Sequence, residues 1–407
     1  MSKKILIVTS NFFPEISGIS VYSSDLARLL TNQGFEVTVI TGFPHYPMNS
    51  SFCEHKELKE IDKNSFSATI IRQRHYIQRK SNAATRAIFE LSIFLNFRRK
   101  LRCLKRTNFD AVISIVPTIA SGLLGLRFSK SRNIPFGLIV QDLSSFGAKE
   151  SGITAGKYLF RITWLIERVL FRGATSISCI SETMMNSIAL MAKSEMKLTT
   201  IYNYNAKNIA PKDRSAARKK LNLSNDSFLI VHTGNMGSKQ GLENVIRAAE
   251  ILSDNSKFQF FLIGHGNQEQ ILKEYSKGIE NISFISSVSD DDYVLWLAAA
   301  DLLLVNEKGT QIQMSLPSKL VSYLFSCRPV IAAVPYNGAT ARFLDNFAVI
   351  VESESPSKLA DQISILSSNP DKMLTLASLG YGFAERNLGI DIGHRKYLNW
   401  VRDLIGS

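Results

Sequence analysis

Cysteine is scarce and scattered in this sequence. Four are present, Cys53, Cys103, Cys179 and Cys327, and no two are spaced as a metal knuckle or a redox pair. That excludes a disulfide-stapled scaffold and fits inert thiols in a reducing compartment. Long apolar runs are missing too. No stretch approaches the roughly 18 apolar residues that a membrane-crossing helix needs. The run Ile5 to Thr9 is too short for the apolar part of a signal peptide, and Pro14 follows it closely, so a cytoplasmic protein is expected. No Ser-His-Asp or Cys-His arrangement is supported by spacing, no hydrolase-type carboxylate pair can be identified, and no repeat or low-complexity tract stands out. The run Asp290-Asp291-Asp292 reads as the acidic first turn of a helix rather than a metal site. Neither a metal nor another cofactor is expected.

What is present is enough chain for two domains. There are 407 residues, 45% hydrophobic and 20% charged, a globular composition. The net charge of +13 is one-sided: residues 1–205 hold 27 Lys and Arg against 14 Asp and Glu, whereas residues 206–407 hold 21 against 21. A field confined to one half points to an anionic partner.

Short β-branched runs alternate with amphipathic stretches along the whole chain. Strands are expected at Ile5–Ser10, Val37–Thr41, Ala68–Arg72, Ala111–Ile115, Phe136–Val140 and Ser176–Ile180. The second half repeats the rhythm at Phe228–Thr233, Gln259–Ile263, Ile282–Ile285, Leu302–Val305, Val330–Ala333 and Val349–Val351. Helical patterns lie between them, as at Val21 to Leu30. This predicts an α/β protein of two doubly wound, Rossmann-like domains facing a central cleft, with ligands at the carboxyl ends of the strands. The polar stretch Ala206–Ser224 reads as the connector. The expected domains are 1–205 and 206–384, and a final helix at about 385–407 completes the first.

Three turns carry the chemistry of the second half. Thr233-Gly234-Asn235-Met236-Gly237-Ser238-Lys239-Gln240-Gly241 follows a strand and opens a helix. Its glycines permit close backbone approach, and helix-terminal N–H groups with Lys239 suit a phosphate. The spacing is neither a Walker loop nor a dinucleotide fingerprint. Gly264-His265-Gly266 brings backbone to the same sheet edge. Leu316-Pro317-Ser318-Lys319-Leu320 places a lysine at a helix start, an unfavourable end for a cation unless an anion sits there. Three phosphate-friendly turns in one domain suggest a nucleoside diphosphate. In the first half, Gly18 and Ile19 sit in a strand-to-helix turn that could meet the pyrophosphate. Gln141-Asp142 ends a strand, and Asp142 is open to two readings: acid-base or substrate-orienting group, or cap.

The basic half holds one further pattern. Between Arg86 and Arg106, Phe89, Ile93, Phe97, Leu101 and Leu104 recur at helical spacing beside Arg98, Arg99, Lys100, Arg102, Lys105 and Arg106. Packing on the sheet and contact with an anionic membrane both fit the stripe, and the charge imbalance favours the membrane. Phe89, Phe94 and Phe97 do not read as a base-stacking platform, so nucleic acid is not expected.

These residues resemble the retaining GT-B glycosyltransferases of family 4, and among them the colanic-acid-type transferases of bacterial exopolysaccharide clusters. The resemblance spans nearly the whole chain. It is carried by Gly234–Ala249 (GNMGSKQGLENVIRAA), Leu316–Leu320 (LPSKL), Val140–Asp142 (VQD), Ile180–Asn186 (ISETMMN) and Asn11–Tyr22. It implies that Gly18 and Ile19 meet donor phosphate and sugar. Lys239 with Gly234, Asn235, Met236 and Gly237 would bind the diphosphate. Gly264 and Gly266 would border the base, and Pro317, Ser318, Lys319 and Leu320 would cover phosphates and ribose. Asp142, beside Gln141, would face the acceptor, and the C-terminal helix would return to the first domain. Two glutamates usual in the family are replaced by Met314 and Ser322, its arginine by Asn235 and its histidine by Gln141.

The expected reaction is sugar transfer with retention from a nucleotide-sugar donor to a polyprenyl-linked glycan. Asp142, Lys239 and Lys319 would act in catalysis, the lysines by stabilising the departing diphosphate. The colanic-acid resemblance suggests GDP-fucose without fixing either part. The expected place is the cytoplasmic face of the membrane, which the basic first domain would contact. The competing readings are a nucleotide-sugar epimerase on the same fold and a non-catalytic membrane-binding protein.

Overall fold

The structure, a computed structural model, describes the chain outside residues 1, 16–17, 46–57, 59, 63–64, 79–81, 146–153, 194–196, 311–315 and 407, and only the backbone along 154–159. The chain divides into two compact units, one of Met1–Ala206 with Asp391–Ser407 and one of Lys207–Ile390.

The first unit is built on an eight-stranded sheet: β1 (Lys4–Val8), β2 (Glu36–Gly42), β3 (Ile61–Asp62), β4 (Thr69–Gln73), β5 (Ala111–Val116), β6 (Phe136–Val140), β7 (Ser176–Cys179) and β8 (Lys197–Thr200), in the order β3-β4-β2-β1-β5-β6-β7-β8. All neighbours run parallel except β3 and β4. Central strands such as KILIV and AVISIV are apolar because helices cover both faces.

The crossover helices Ala83–Cys103, Ile119–Arg132 and Thr154–Gly173 run from β4 to β5, β5 to β6 and β6 to β7. Successive right-handed crossovers in one direction place all three on one side of the sheet. This corrects the membrane reading of the basic helix. Phe89, Ile93, Phe97 and Leu101 are buried in the unit's core and Leu104 packs against it. They cover the sheet and are closed to lipid. A different stripe of the same helix faces outward: Ile88, Leu91 and Leu95 are 49%, 58% and 54% exposed. Ile162, Leu165 and Val169 of helix Thr154–Gly173 repeat that spacing and are 56%, 54% and 56% exposed.

Helix Ile390–Ile405 belongs to the first unit. Its Trp400 indole donates to Ser176 Oγ at 2.8 Å. A Cβ on Gly393 would lie 2.2 Å from Tyr204 Cδ1, so only glycine lets the helix seat there. Tyr204 Oη and His394 Nε2 both reach Asp25 Oδ2 at 2.6 Å. Burial alone would raise the Asp25 carboxyl, but those two partners hold it below its ordinary value.

The second unit is a six-stranded, all-parallel sheet: β9 (Phe228–Thr233), β10 (Phe258–Ile263), β11 (Ile282–Ile285), β12 (Leu302–Asn306), β13 (Val330–Ala333) and β14 (Ala348–Val351), in the order β11-β10-β9-β12-β13-β14. The order reverses at β9, so the crevice at its carboxyl end is the place for a ligand. The stretch read as a connector contains helix Arg214–Lys220. Arg218 there is fully buried. Its Nη2 lies 2.5 Å from Asp301 Oδ2, and its Nε donates to Ala299 O at 2.9 Å. A buried arginine is invisible to a composition count, which reads it as solvent-seeking. The final helical stretch is likewise two helices, Pro370–Leu388 and Ile390–Ile405, separated at Gly389.

Candidate functional site

The carboxyl end of β9 turns at Gly234, whose φ of 116 is open to glycine and strained for other residues. The Gly234 amide donates to Ile263 O at 2.8 Å and the Met236 amide to His265 O at 2.7 Å. Those two amides are therefore committed within the sheet edge and are not offered to a phosphate. Met236 is fully buried, whereas Asn235 and Ser238 stay exposed. Gly264 and Gly266 have a structural reason as well. A Cβ on Gly264 would lie 2.0 Å from Gly234 O, and one on Gly266 would lie 2.2 Å from Met236 O. The turns after β9 and β10 thus meet backbone to backbone.

Lys239 lies in the short 3-10 turn Ser238–Gln240, and its carbonyl accepts from Lys308 N at 3.0 Å. Asn306, ending β12, donates to Gln240 O at 2.6 Å and Gly241 O at 2.9 Å, which fixes the turn's far end. The chain rises from this turn into helix Glu243–Ile251.

Helix Lys319–Phe325 clamps β9 from the other side. Lys319 Nζ lies 3.1 Å from His232 Nε2. A Cβ on Gly234 would sit 3.4 Å from Lys319 Nζ, so the amine rests against the turn itself. One helical turn on, Tyr323 Oη accepts from Thr233 N at 2.8 Å. Burial pushes the Lys319 amine down to about 7, against the opposing pull of Glu307. Burial, and then Lys319, hold His232 well below its ordinary value, so its ring is neutral. Pro317 accepts from Leu320 N at 3.0 Å, Leu320 is buried, and Ser318 is exposed at the helix start. Met314 lies outside the described residues, and Ser322 sits inside the clamp helix.

In the first unit, Gly18 precedes helix Ile19–Asn32 with φ 54 and ψ -123, and no described residue lies within 4 Å of where a Cβ would be. The loop before it is pinned: Asn11 Nδ2 donates to Glu15 Oε2 at 2.9 Å and His45 N to Glu15 Oε1 at 2.8 Å. Gln141 is buried, with its amide on Val116 O at 3.0 Å. Asp142 lies just past β6 and its Oδ1 accepts from Leu143 N at 2.8 Å. Glu167 lies close by, accepting from Ser145 N at 3.2 Å; burial raises its carboxyl, and the charge of Asp142 adds to the rise.

Sequence reasoning placed the turns of Gly234, Asn235, Met236, Gly237 and Lys239 and of Gly264 and Gly266 at one sheet edge, and Pro317 to Leu320 at a helix start of the same domain; the structure has the two glycine turns in contact and Lys319 against Gly234. That reasoning missed His232, Tyr323 and Asn306. The signals were present: a histidine closing the apolar strand FLIVHT, and a tyrosine four residues after Lys319 on one helix face.

Two parallel-sheet units of this construction, with turn clusters at the strand ends, define the GT-B fold. The "Glycosyl transferase 4-like domain" family matches residues 17–203, and the "Glycosyl transferases group 1" family matches residues 213–381. Each half of the chain thus carries a match to a glycosyltransferase family. It is 29% identical over 414 residues to WcaI, a glycosyl transferase of Escherichia coli K12 named for colanic acid biosynthesis, covering 98% of this chain and all of that one. Among solved structures it resembles a sucrose-phosphate synthase of Thermosynechococcus elongatus, at TM-score 0.77 and 16% identity over 100% of both chains. It also resembles Anabaena HepE in complex with UDP, at TM-score 0.72 and 14% identity over 98% of this chain and 100% of that one.

Proposed function

We propose that this glycosyltransferase moves a hexosyl-type sugar, with retention, from a nucleoside-diphosphate donor to a polyprenyl-linked oligosaccharide in exopolysaccharide, capsule or O-antigen synthesis. The observation that carries the donor side is the Lys319 amine, held at the Gly234 turn where the sheet order reverses. The UDP bound by HepE and the colanic acid role in WcaI's name support the same reading.

Lys319 and Lys239 stabilise the charge of the departing diphosphate, with no metal taking part. Gly237, Asn235 and Ser318 line the phosphate side, and Gly264, Gly266 and buried Met236 shape the floor beneath the base. Pro317 and Leu320 set the clamp helix in place. In the first unit Gly18 and Ile19 give the backbone that meets donor phosphate and sugar, a role supported by the room that the described residues leave beside Gly18. Asp142 orients the acceptor hydroxyl, with Gln141 fixing the strand end beneath it.

The protein works at the cytoplasmic face of an anionic membrane. Ile88, Leu91 and Leu95, with Ile162, Leu165 and Val169, form two exposed apolar stripes on one side of the basic unit. Arg99, Arg102, Arg161 and Arg172 are exposed on the same two helices. Apolar stripes among cations suit the interface of an anionic leaflet. No described helix is long and apolar enough to cross a membrane.

The test is a transfer assay with GDP- and UDP-sugars and a polyprenyl-diphosphate-linked acceptor, read by mass. Acceptor-dependent gain of one sugar is the expected result. Donor turnover that needs no acceptor would instead indicate an epimerase.

A further inference from the structure

His232 is the one fully buried histidine among the described residues and has no direct part in the reaction proposed above. Its two ring nitrogens are both engaged. Nδ1 lies 3.1 Å from Leu304 O. A carbonyl can only accept, so Nδ1 carries the hydrogen and Nε2 the lone pair. That lone pair faces Lys319 Nζ at 3.1 Å. Among the described residues Nζ has no other hydrogen-bonding partner and no carboxylate within ion-pair distance. Among the described residues the titratable groups acting on it are His232 of β9 and Glu307 just after β12, with Tyr323 one turn further along its own helix. Tyr323 is occupied by Thr233, and Glu307 accepts from Thr340 Oγ1 at 2.9 Å.

We propose that His232 is a positioning residue of the donor site: its Nε2 seats the Lys319 amine against the Gly234 turn, where the amine takes up a solvent proton as the donor diphosphate arrives. The inference rests on the donor-site reading of Lys319. A histidine suits the task because a neutral acceptor orients the amine without competing, as a carboxylate would, with the incoming phosphate charge. The amine's depressed value agrees with this. Near neutral pH much of the free site lacks the proton, and a bound dianion favours the charged form. Diphosphate affinity should therefore fall as pH rises above about 7.

The test uses titration calorimetry of the full chain with GDP and UDP. Removing one charge-assisted partner should cost about tenfold or more in diphosphate affinity, so both Lys319→Met and His232→Leu should show that loss. His232→Gln, which keeps an acceptor, should recover most of it. The double variant His232→Leu/Lys319→Met should bind no worse than Lys319→Met alone, because the two act as one unit. Wild type titrated at pH 8 in buffers of different ionisation enthalpy should show net proton uptake that vanishes in Lys319→Met. If His232→Leu weakens binding equally with and without Lys319, or its affinity is unchanged, the positioning role is overturned and the donor site stands. If Lys319→Met binds like wild type, or neither nucleotide binds, the donor-site reading itself falls, and this inference with it.

Discussion

Gly18 of the first unit and the pair Gly264 and Gly266 of the second unit are all glycines in strand-end turns, yet the structure uses them in opposite ways. Beside Gly18 no described residue comes within 4 Å of an added carbon. Beside the other two, a single added carbon would strike backbone at 2.0 and 2.2 Å. One glycine leaves room beside it among the described residues; the others are spent on joining two turns of the fold. A glycine-rich turn therefore needs its surroundings before it can be assigned to a ligand.

Mutating each set separates the two uses. Gly264→Ala should be the most damaging, since a positive φ of 139 adds strain to the clash; a loss of at least about 3 kcal/mol is expected, read as loss of soluble folded protein or a large fall in Tm. Gly266→Ala should follow closely. Gly18→Ala should cost only about 1–2 kcal/mol from its backbone conformation. Its transfer rate should nonetheless fall well beyond what the lost folded fraction explains; a rate that tracks stability would make Gly18 structural too. The smallest effect on stability belongs to the outer stripes. Leu91→Ser with Leu165→Ser should shift stability by no more than about 0.5 kcal/mol at each exposed site. Sedimentation with anionic vesicles should drop sharply in that variant, and unchanged sedimentation would sever the stripes from the membrane.

Much of the fold was legible because β-branched runs bounded by turn residues are strong local signals. Phe136–Val140, Phe228–Thr233, Ile282–Ile285 and Val330–Ala333 fall where periodicity puts them. The edge strands β3 and β8 were not legible: ID and KLTT are short, and KLTT is exposed or half-buried throughout. Periodicity found the stripe of Phe89, Ile93 and Phe97 but could not say which way it faced. Two apolar stripes share that helix, and only the sheet beneath decides between them. The turn cluster of the second unit was legible through its glycines and lysines. The clamp was not, because His232, Tyr323 and Asn306 act through partners distant in sequence.

The most direct measurement is the thermal melting of wild type and Lys319→Met against GDP, UDP, dTDP and their sugars at millimolar concentration. A ligand that binds only the folded chain raises its Tm by mass action. One nucleoside diphosphate should raise the Tm of wild type, and most of that rise should disappear in Lys319→Met. An equal rise in both proteins, or none in either, would contradict a donor site built on the Gly234 turn and its clamp.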